Sequence, residues 1–418
     1  MKKHKISYVS LFLCSALLLT SCSESGSILG TRSMEPVAVL DYELPSSVPG
    51  FMADIRGYSV SSEKYAYLRL LEEAGAPDYF SVRDLNSGRI VYEGMFEKSK
   101  MGDELLKADF SDLKTEGIYR AECSIYGCTE EFRISGDMYE ALSHTYEERI
   151  TEGCRDLSAS PETVLDYLQA YEWYGRDEDE GASDSIVSSA PESLTIVRDW
   201  ISGKDYQGSR DRDAALYAAI LAKFSFLYKE YDSSLATECL QKASSIYSQS
   251  GNVIKSDADS FRALTELYRA SGESSYYNEI SEYKESFLEG TGALEDGYMF
   301  GTMTYIVTRQ AVDKELCDLL VGRILSDAQD INGNRREITD PVSSALSSDA
   351  EMLRNIRKLM CANYILRGYE YNMTIQQMFH YLSGLNVESA VFEPGTDSSG
   401  MYYFLCDYLS ELEKEGKL

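Results

Sequence analysis

A chain of 418 residues is long for a single hydrophobic core, and an apolar content of 44% with 11% aromatics excludes wholesale disorder. The formal charge of −29 excludes a surface suited to nucleic acid or to anionic lipid headgroups. Two folded units behind a leader fit these bounds, and such a surface tolerates neutral polymers.

Met1 to Ser21 carries Lys2, Lys3 and Lys5, an apolar run from Val9 to Leu19, and the ending Leu19-Thr20-Ser21-Cys22. This is the pattern of a secretory leader. Small residues before a cysteine also resemble the lipobox of a bacterial lipoprotein, which implies cleavage of residues 1–21 and lipidation of Cys22; an ordinary secretory signal is the alternative. Residues 22–36 read as a polar tether. No later apolar run approaches the roughly 20 residues a membrane span needs, so the acyl group is the expected membrane anchor. The expected location is the bacterial cell envelope, outside the cytoplasm.

Residues 37–137 alternate with period two, as in Lys64-Tyr65-Ala66-Tyr67-Leu68-Arg69, Phe80-Ser81-Val82-Arg83, Arg89-Ile90-Val91-Tyr92, Ile118-Tyr119-Arg120-Ala121 and Phe132-Arg133-Ile134. Asn86-Ser87-Gly88, Thr115-Glu116-Gly117 and Tyr126-Gly127 supply turns between them. Short strands at this spacing predict an immunoglobulin-like β-sandwich. Cys123 and Cys128 flank a four-residue turn and could bridge a hairpin in an oxidising compartment. Cys154, Cys239, Cys317, Cys361 and Cys406 occur singly, with no CxxC, and read as small core residues rather than metal ligands.

Several of these pieces also stand in a recognisable order. Asp54-Ile55-Arg56-Gly57-Tyr58, Lys64-Tyr65-Ala66, Phe80-Ser81-Val82-Arg83-Asp84, Val91-Tyr92-Glu93-Gly94, Ala108-Asp109-Phe110-Ser111-Asp112-Leu113 and Gly117-Ile118-Tyr119-Arg120 resemble the N-terminal immunoglobulin-like domain of family 9 cellulases. Asp54-Ile55-Arg56 departs from the Asn-Gln pair that family usually shows before Gly-Tyr.

From residue 138 to 418 the period is helical. Asp213 to Gln249 sets the plan: Leu216, Ala219, Ile220, Phe224 and Leu227 recur on one face with Lys223 left exposed, Tyr231-Asp232-Ser233-Ser234 breaks the run, and Leu235, Ala236, Cys239, Leu240, Ala243 and Ile246 resume it. So short a connection predicts an antiparallel helical hairpin. About twelve helices are expected, near 139–152, 161–175, 190–202, 211–230, 233–249, 257–271, 275–288, 297–309, 311–328, 349–368, 373–384 and 400–415. Periodicity alone leaves an open solenoid and a closed toroid equally available. Leu168-Gln169-Ala170-Tyr171-Glu172-Trp173-Tyr174, Ala190-Pro191-Glu192-Ser193-Leu194, Asp259 to Gly272, and Gln377-Met378 with His380 to Asn386 are similar in order to the barrel of glycoside hydrolase family 9. That resemblance implies an immunoglobulin-like β-sandwich followed by an (α/α)6-barrel, here reduced by shortened loops, and a β-glucan as substrate or ligand.

Inverting hydrolysis needs a protonated carboxyl and a water-activating carboxylate roughly 6.5–9.5 Å apart. The resemblance places the base in an Asp-Ala-Gly-Asp type motif before the helix near Pro161, the acid at a Glu before the last helix, and a His-His-Arg type segment between. Here the first region reads Glu152-Gly153-Cys154-Arg155-Asp156-Leu157-Ser158-Ala159-Ser160. Aligning Asp156 with the first Asp of the motif puts Ala159 at the base, and counting back from the helix puts Glu152 there. Asp397 falls within one residue of the expected acid, where Asp-Ser-Ser before a helix also suits a capping or turn residue. Only His4, His144 and His380 occur, so the His segment has no counterpart, and His380 reads as a packed or capping residue.

Trp173 and Tyr174 are candidate stacking platforms for a sugar, whereas Tyr217, Tyr228, Tyr268 and Tyr276 read as core or rim. The acidic run Asp177-Glu178-Asp179-Glu180 lacks the spacing and glycine of an EF-hand and reads as an exposed loop, so neither metal nor cofactor is expected. Three functions stay open: a glycan-binding relative without hydrolysis, a hydrolase using Glu152, Asp156 and Asp397, or a module that binds an envelope protein.

Overall fold

The computed structural model describes residues 50–71, 75–102, 104–124, 126–175, 190–206, 212–249, 257–290, 294–342, 348–386 and 388–418. The leader, Cys22, the tether and the acidic run Asp177 to Glu180 lie outside them.

The first unit is a sandwich of β1 (Phe51–Met52), β2 (Tyr58–Ser59), β3 (Tyr65–Arg69), β4 (Tyr79–Asp84), β5 (Ile90–Met95), β6 (Glu97–Lys98), β7 (Leu105–Asp109), β8 (Gly117–Cys123), β9 (Gly127–Cys128) and β10 (Phe132–Ser135). One sheet runs β1-β3-β7-β6; the other runs β2-β10-β8-β4-β5, with β9 paired to β8. Tyr119, Ala121 and Cys123 of β8 point into the core while Arg120 and Glu122 point out, so the period-two signal holds there. β3 differs. Ala66 and Leu68 enter the sandwich core, but Tyr65 and Tyr67 are buried too, packed on the other face with Leu105 and with Leu385 of the helical domain. The domain interface therefore covers one face of this sheet.

The Cys123–Cys128 bridge does not form. Register pairs Cys123 with Gly127 and Glu122 with Cys128, so successive side chains leave the two cysteines on opposite faces. Cys123 is a buried free thiol and Cys128 is exposed.

The helices are α1 (Met138–Arg155), α2 (Pro161–Ala170), α3 (Glu192–Gly203), α4 (Arg212–Tyr228), α5 (Ser233–Gln249), α6 (Ala258–Ser271), α7 (Ser274–Glu289), α8 (Asp296–Val307), α9 (Lys314–Gly333), the single turn α10 (Arg335–Ile338), α11 (Asp349–Leu366), α12 (Asn372–Leu382) and α13 (Ser399–Lys414). A π-helical turn, Tyr171–Gly175, extends α2. Contacts run α2 to α4, α6, α8, α11, α13 and back to α2, so six inner helices close a ring and the intervening long helices pack outside it. The closure makes this a toroid and excludes a solenoid. Local chemistry sets the ends: the Ser160 hydroxyl accepts from the Thr163 amide before α2, Asp257 caps α6 through the Ser260 amide, and α6 stops at Gly272 with φ 72°. Gly297 and Gly301, one turn apart on α8, meet α6 so closely that a Cβ on Gly297 would lie 2.3 Å from the Ala258 carbonyl oxygen.

The middle of inner helix α4 is buried on nearly every side, and this corrects the expectation for Lys223. In α4, Ala214, Leu216, Ala218, Ala219, Ile220, Leu221, Ala222 and Phe224 are all buried, and Lys223 is fully buried beside them. Its position away from the apolar stripe faces the ring axis rather than water.

The Asp54 to Tyr58 segment locks the two domains together. Asp54 Oδ1 accepts from the Gly57 amide at 2.9 Å, and its Oδ2 pairs with His380 Nδ1 at 2.6 Å, both residues being buried. The Ile55 amide donates to the Ser383 carbonyl, and Arg56 donates to the Phe392 carbonyl and to Glu393. Gly57 needs φ 114° and sits where a Cβ would strike the Arg133 carbonyl oxygen. His380 is thus a packed residue, held between the Tyr58 and Tyr65 rings.

Candidate functional site

At the N-terminal ends of the inner helices, the turn before α13 is tied onto the start of α2. The Thr396 carbonyl accepts from Thr163 Oγ1 at 2.5 Å and from Ser160 Oγ at 3.3 Å. Gly400 permits the approach, because a Cβ there would lie 2.6 Å from the Thr163 carbonyl oxygen. Between these segments and the end of α1 lies a cavity of about 250 Å³, lined by Glu152, Asp156, Ala159, Thr163, Thr396 and Ser399 among others. Two of the three sequence-predicted acids line this cavity, and Asp397 lies in the turn between its wall residues Thr396 and Ser399.

The chemistry of those acids is that of open surface. Glu152, Asp156 and Asp397 are all exposed. Asp156 Oδ1 accepts from the Ser158 amide at 2.8 Å, and hydrogen bonds from Ser158 hold its carboxyl below the usual range. Asp397 is not the cap of α13: Ser398 holds that position, and the Asp397 carboxylate accepts a 3.4 Å contact from the Thr396 hydroxyl. Ala159 is buried, its amide bonded to the Gly153 carbonyl. Among the described residues no aromatic side chain lines this cavity.

Below it, side chains fill the middle of the ring in two charged layers. In the first, Arg357 of α11 bridges Asp166 of α2 and Asp296 of α8, while the Arg262 guanidinium lies 4.6 Å from the Phe300 ring centre. Burial pushes the Asp166 carboxyl up, against the pull of Arg357. In the second, Lys223 and Arg269 each pair with both Glu172 and Glu266; Lys223 also reaches Gln169, and Thr304 donates to Glu266 at 2.8 Å. Burial pushes the Glu172 carboxyl up, and the Lys223 and Arg269 charges more than reverse this, holding it well below the carboxylate range. Each layer balances two acids with two bases, as burial of charge requires. Sequence reasoning missed these residues, although a charge such as Lys223 inside the alanine-rich α4 carries the signal.

The other end of the ring holds the aromatic side chains. Trp173 and Tyr174 follow α2 and lie roughly 20 Å along the chain axis from Ser160, at 1.5 Å per residue. They therefore do not join Glu152, Asp156 and Asp397. Trp173 stacks on Tyr364 with ring centres 4.2 Å apart and planes 10° off parallel. A cavity of about 560 Å³ opens here between Tyr174, Val307, Asn363, Tyr364, Arg367, Tyr369 and Tyr408. Next to it, sharing Tyr174, a cavity of about 330 Å³ has an acidic wall of Glu140, Glu147, Glu192, Asp407 and Glu411. Burial, with Glu411 adding to it, pushes the Asp407 carboxyl up to about 7, against a 3.3 Å hydrogen bond from the Ser143 hydroxyl. Among the described residues no cluster of His, Cys, Asp and Glu has the arrangement of a metal site.

A sandwich whose first turn docks on a six-hairpin helical toroid defines the class of an immunoglobulin-like module joined to an (α/α)6-barrel. Residues 54–126 match the family described as the cellulase N-terminal ig-like domain. Across both domains the chain has the fold of glycoside hydrolase family 9 endoglucanases. A metagenome-derived endoglucanase of that family superposes with a TM-score of 0.69 at 15% identity, over 86% of this chain and 98% of that one. The family 9 protein of Bacteroides ovatus gives 0.61 at 14% identity, over 88% and 99%. An endoglucanase from Alicyclobacillus acidocaldarius gives 0.59 at 15%, over 81% and 82%. Comparison with curated proteins gives no match.

Proposed function

We propose that this protein is a lipid-anchored envelope protein of the family 9 scaffold that binds β-glucan and has lost efficient hydrolysis. The observation that carries the reading is the state of the acids at the end of the ring where α2 and α13 begin. All three are exposed, and Asp156 is held ionised by its own turn. A general acid needs burial or a neighbouring negative charge to keep its proton near neutral pH. Ala159 occupies one alignment of the base, and among the described residues the cavity of about 250 Å³ offers no aromatic surface for a sugar ring. The family likeness supports the glycan, and the leader sequence supports the anchor at Cys22 and the extracytoplasmic location.

One observation favours residual hydrolysis as the second reading: Glu152, Asp156 and Asp397 come from distant parts of the chain to one small cavity and its flanking turn. The experiment measures reducing-sugar release from a soluble cellulose derivative and from mixed-linkage β-glucan, for the wild type and Asp397→Ala, with binding to both polymers followed alongside. Binding without turnover is expected. Turnover that Asp397→Ala abolishes would overturn the proposal and make Asp397 the acid, and absence of both would move the function to a protein partner.

A further inference from the structure

The cavity of about 560 Å³ at the opposite end of the ring is a better-built site than the one beside Asp397. Its size is that of ordinary ligand pockets, roughly 300–1,000 Å³. Four tyrosines line it: Tyr174 from the turn after α2, Tyr364 at the end of α11, Tyr369 just beyond, and Tyr408 from α13. Their support is firm. Tyr364 rests on Trp173, and Trp173 rests in turn on Phe404 at 5.2 Å. The Tyr408 hydroxyl donates to Asn372 at 2.6 Å and accepts from Asn363 Nδ2 at 2.9 Å, which fixes its ring. The Tyr369 hydroxyl donates to Glu415 at 2.9 Å.

The rim leaves apolar surface in water. Val307, Tyr364 and Tyr369 show relative exposures of 48%, 41% and 46%. Arg367 lines the cavity beside them in a left-handed conformation with φ 49°, and its side chain is a source of hydrogen-bond donors. Rigid aromatic faces with a few donors suit a ligand that is apolar on its ring faces and hydroxylated at its edges. The neighbouring cavity, which shares Tyr174, is lined by five carboxyl groups against Lys414 and His144, and the chain as a whole carries −29. An anionic ligand is repelled and an uncharged one is not.

We infer that the tyrosine-lined cavity between the ends of α8 and α11 and the middle of α13 is the saccharide-binding site of this protein, taking neutral hexose units of a β-glucan chain. The inference rests on the glycan-binding reading and relocates the ligand to the end of the ring opposite Glu152, Asp156 and Asp397. It gives Trp173 and Tyr174 a role that the cavity beside Asp397 does not.

The test uses the full-length chain and cellohexaose, titrated by calorimetry and by intrinsic fluorescence. Trp200 is fully buried, so a fluorescence change on binding reports Trp173 through its stack with Tyr364. Tyr364→Ala and Tyr369→Ala remove half-exposed rings and leave the core untouched, and each is expected to weaken binding about tenfold or more. Asp397→Ala and Glu152→Ala are expected to leave affinity unchanged, and Trp173→Phe to abolish the fluorescence response. If the tyrosine variants bind as the wild type does while Asp397→Ala or Glu152→Ala loses binding, the site is overturned and the glycan reading stands. Failure of the wild type to bind cellohexaose or mixed-linkage β-glucan would overturn both.

Discussion

Glu266→Ala probes the inner charged layer most directly. Glu266 is buried on α6, accepts from Arg269 at 2.5 Å and from the Thr304 hydroxyl at 2.8 Å, and lies 3.4 Å from Lys223. Its removal leaves Lys223 and Arg269 sharing Glu172, one uncompensated positive charge in a site closed to water. Breaking a buried pair from one side costs about 3–5 kcal/mol. For a domain of this size each kcal/mol moves Tm by about 2 °C, so the midpoint should fall by about 6–10 °C. Scanning calorimetry at neutral pH measures the shift. Glu266→Leu combined with Arg269→Leu removes one charge of each sign and leaves the Lys223–Glu172 pair intact. The double variant should therefore be more stable than the sum of the two single changes implies, by about 1–3 kcal/mol. Strict additivity would refute the account of a charge-balanced layer.

Three more outcomes follow from other parts of the molecule. Burial raises Asp407 and Glu413 to about 7 from ordinary values of 3.8 and 4.5, so the folded protein keeps protons that the unfolded chain releases. Their contribution is present in full below about pH 4 and is lost as pH rises to about 7; Asp407→Asn should stabilise the protein at pH 8 by about 2 kcal/mol and flatten that slope in denaturant titrations across pH. Asp54→Ala strands buried His380 and should cost about 3 kcal/mol, read as a lower first transition and faster proteolysis between the domains, with no further loss when His380→Ala is added. Gly400→Ala should cost about 1–3 kcal/mol through its clash with the Thr163 carbonyl, whereas Gly322→Ala on α9, with nothing within 4 Å, should be neutral or stabilising in the same thermal melts.

The elements whose signals are local were legible in the sequence. Each of the twelve expected helices is present, because each carries its own period, and ends such as Ser160-Pro161 and Gly272 follow from capping chemistry. The signals that failed depend on partners far away in the chain. Lys223 looked like a solvated lysine because Glu172 and Glu266 lie 51 and 43 residues from it. The alternation of Lys64 to Arg69 did not show that both faces of this strand are covered, Ala66 and Leu68 by the sandwich core and Tyr65 and Tyr67 by a cluster that includes Leu385. Cys123 and Cys128 had a plausible spacing, and a register offset of one residue set them on opposite faces. Glu152 and Asp156, which two rival alignments offered in turn, line one cavity, while Trp173 and Tyr174 lie at the other end because α2 stands between.

Ring closure also has a kinetic meaning. The bond from Ser160 to the Thr396 carbonyl spans 236 residues, and α13 must reach both α1 and α2 before the first inner helix has its neighbours. Until α13 has emerged during synthesis, α2 and its buried Asp166 lack one wall, so the hairpins cannot mature one after another as they would in an open array. Productive folding waits for the loop to shut, and the unfinished arc with its apolar inner helices is the species a chaperone would have to shield.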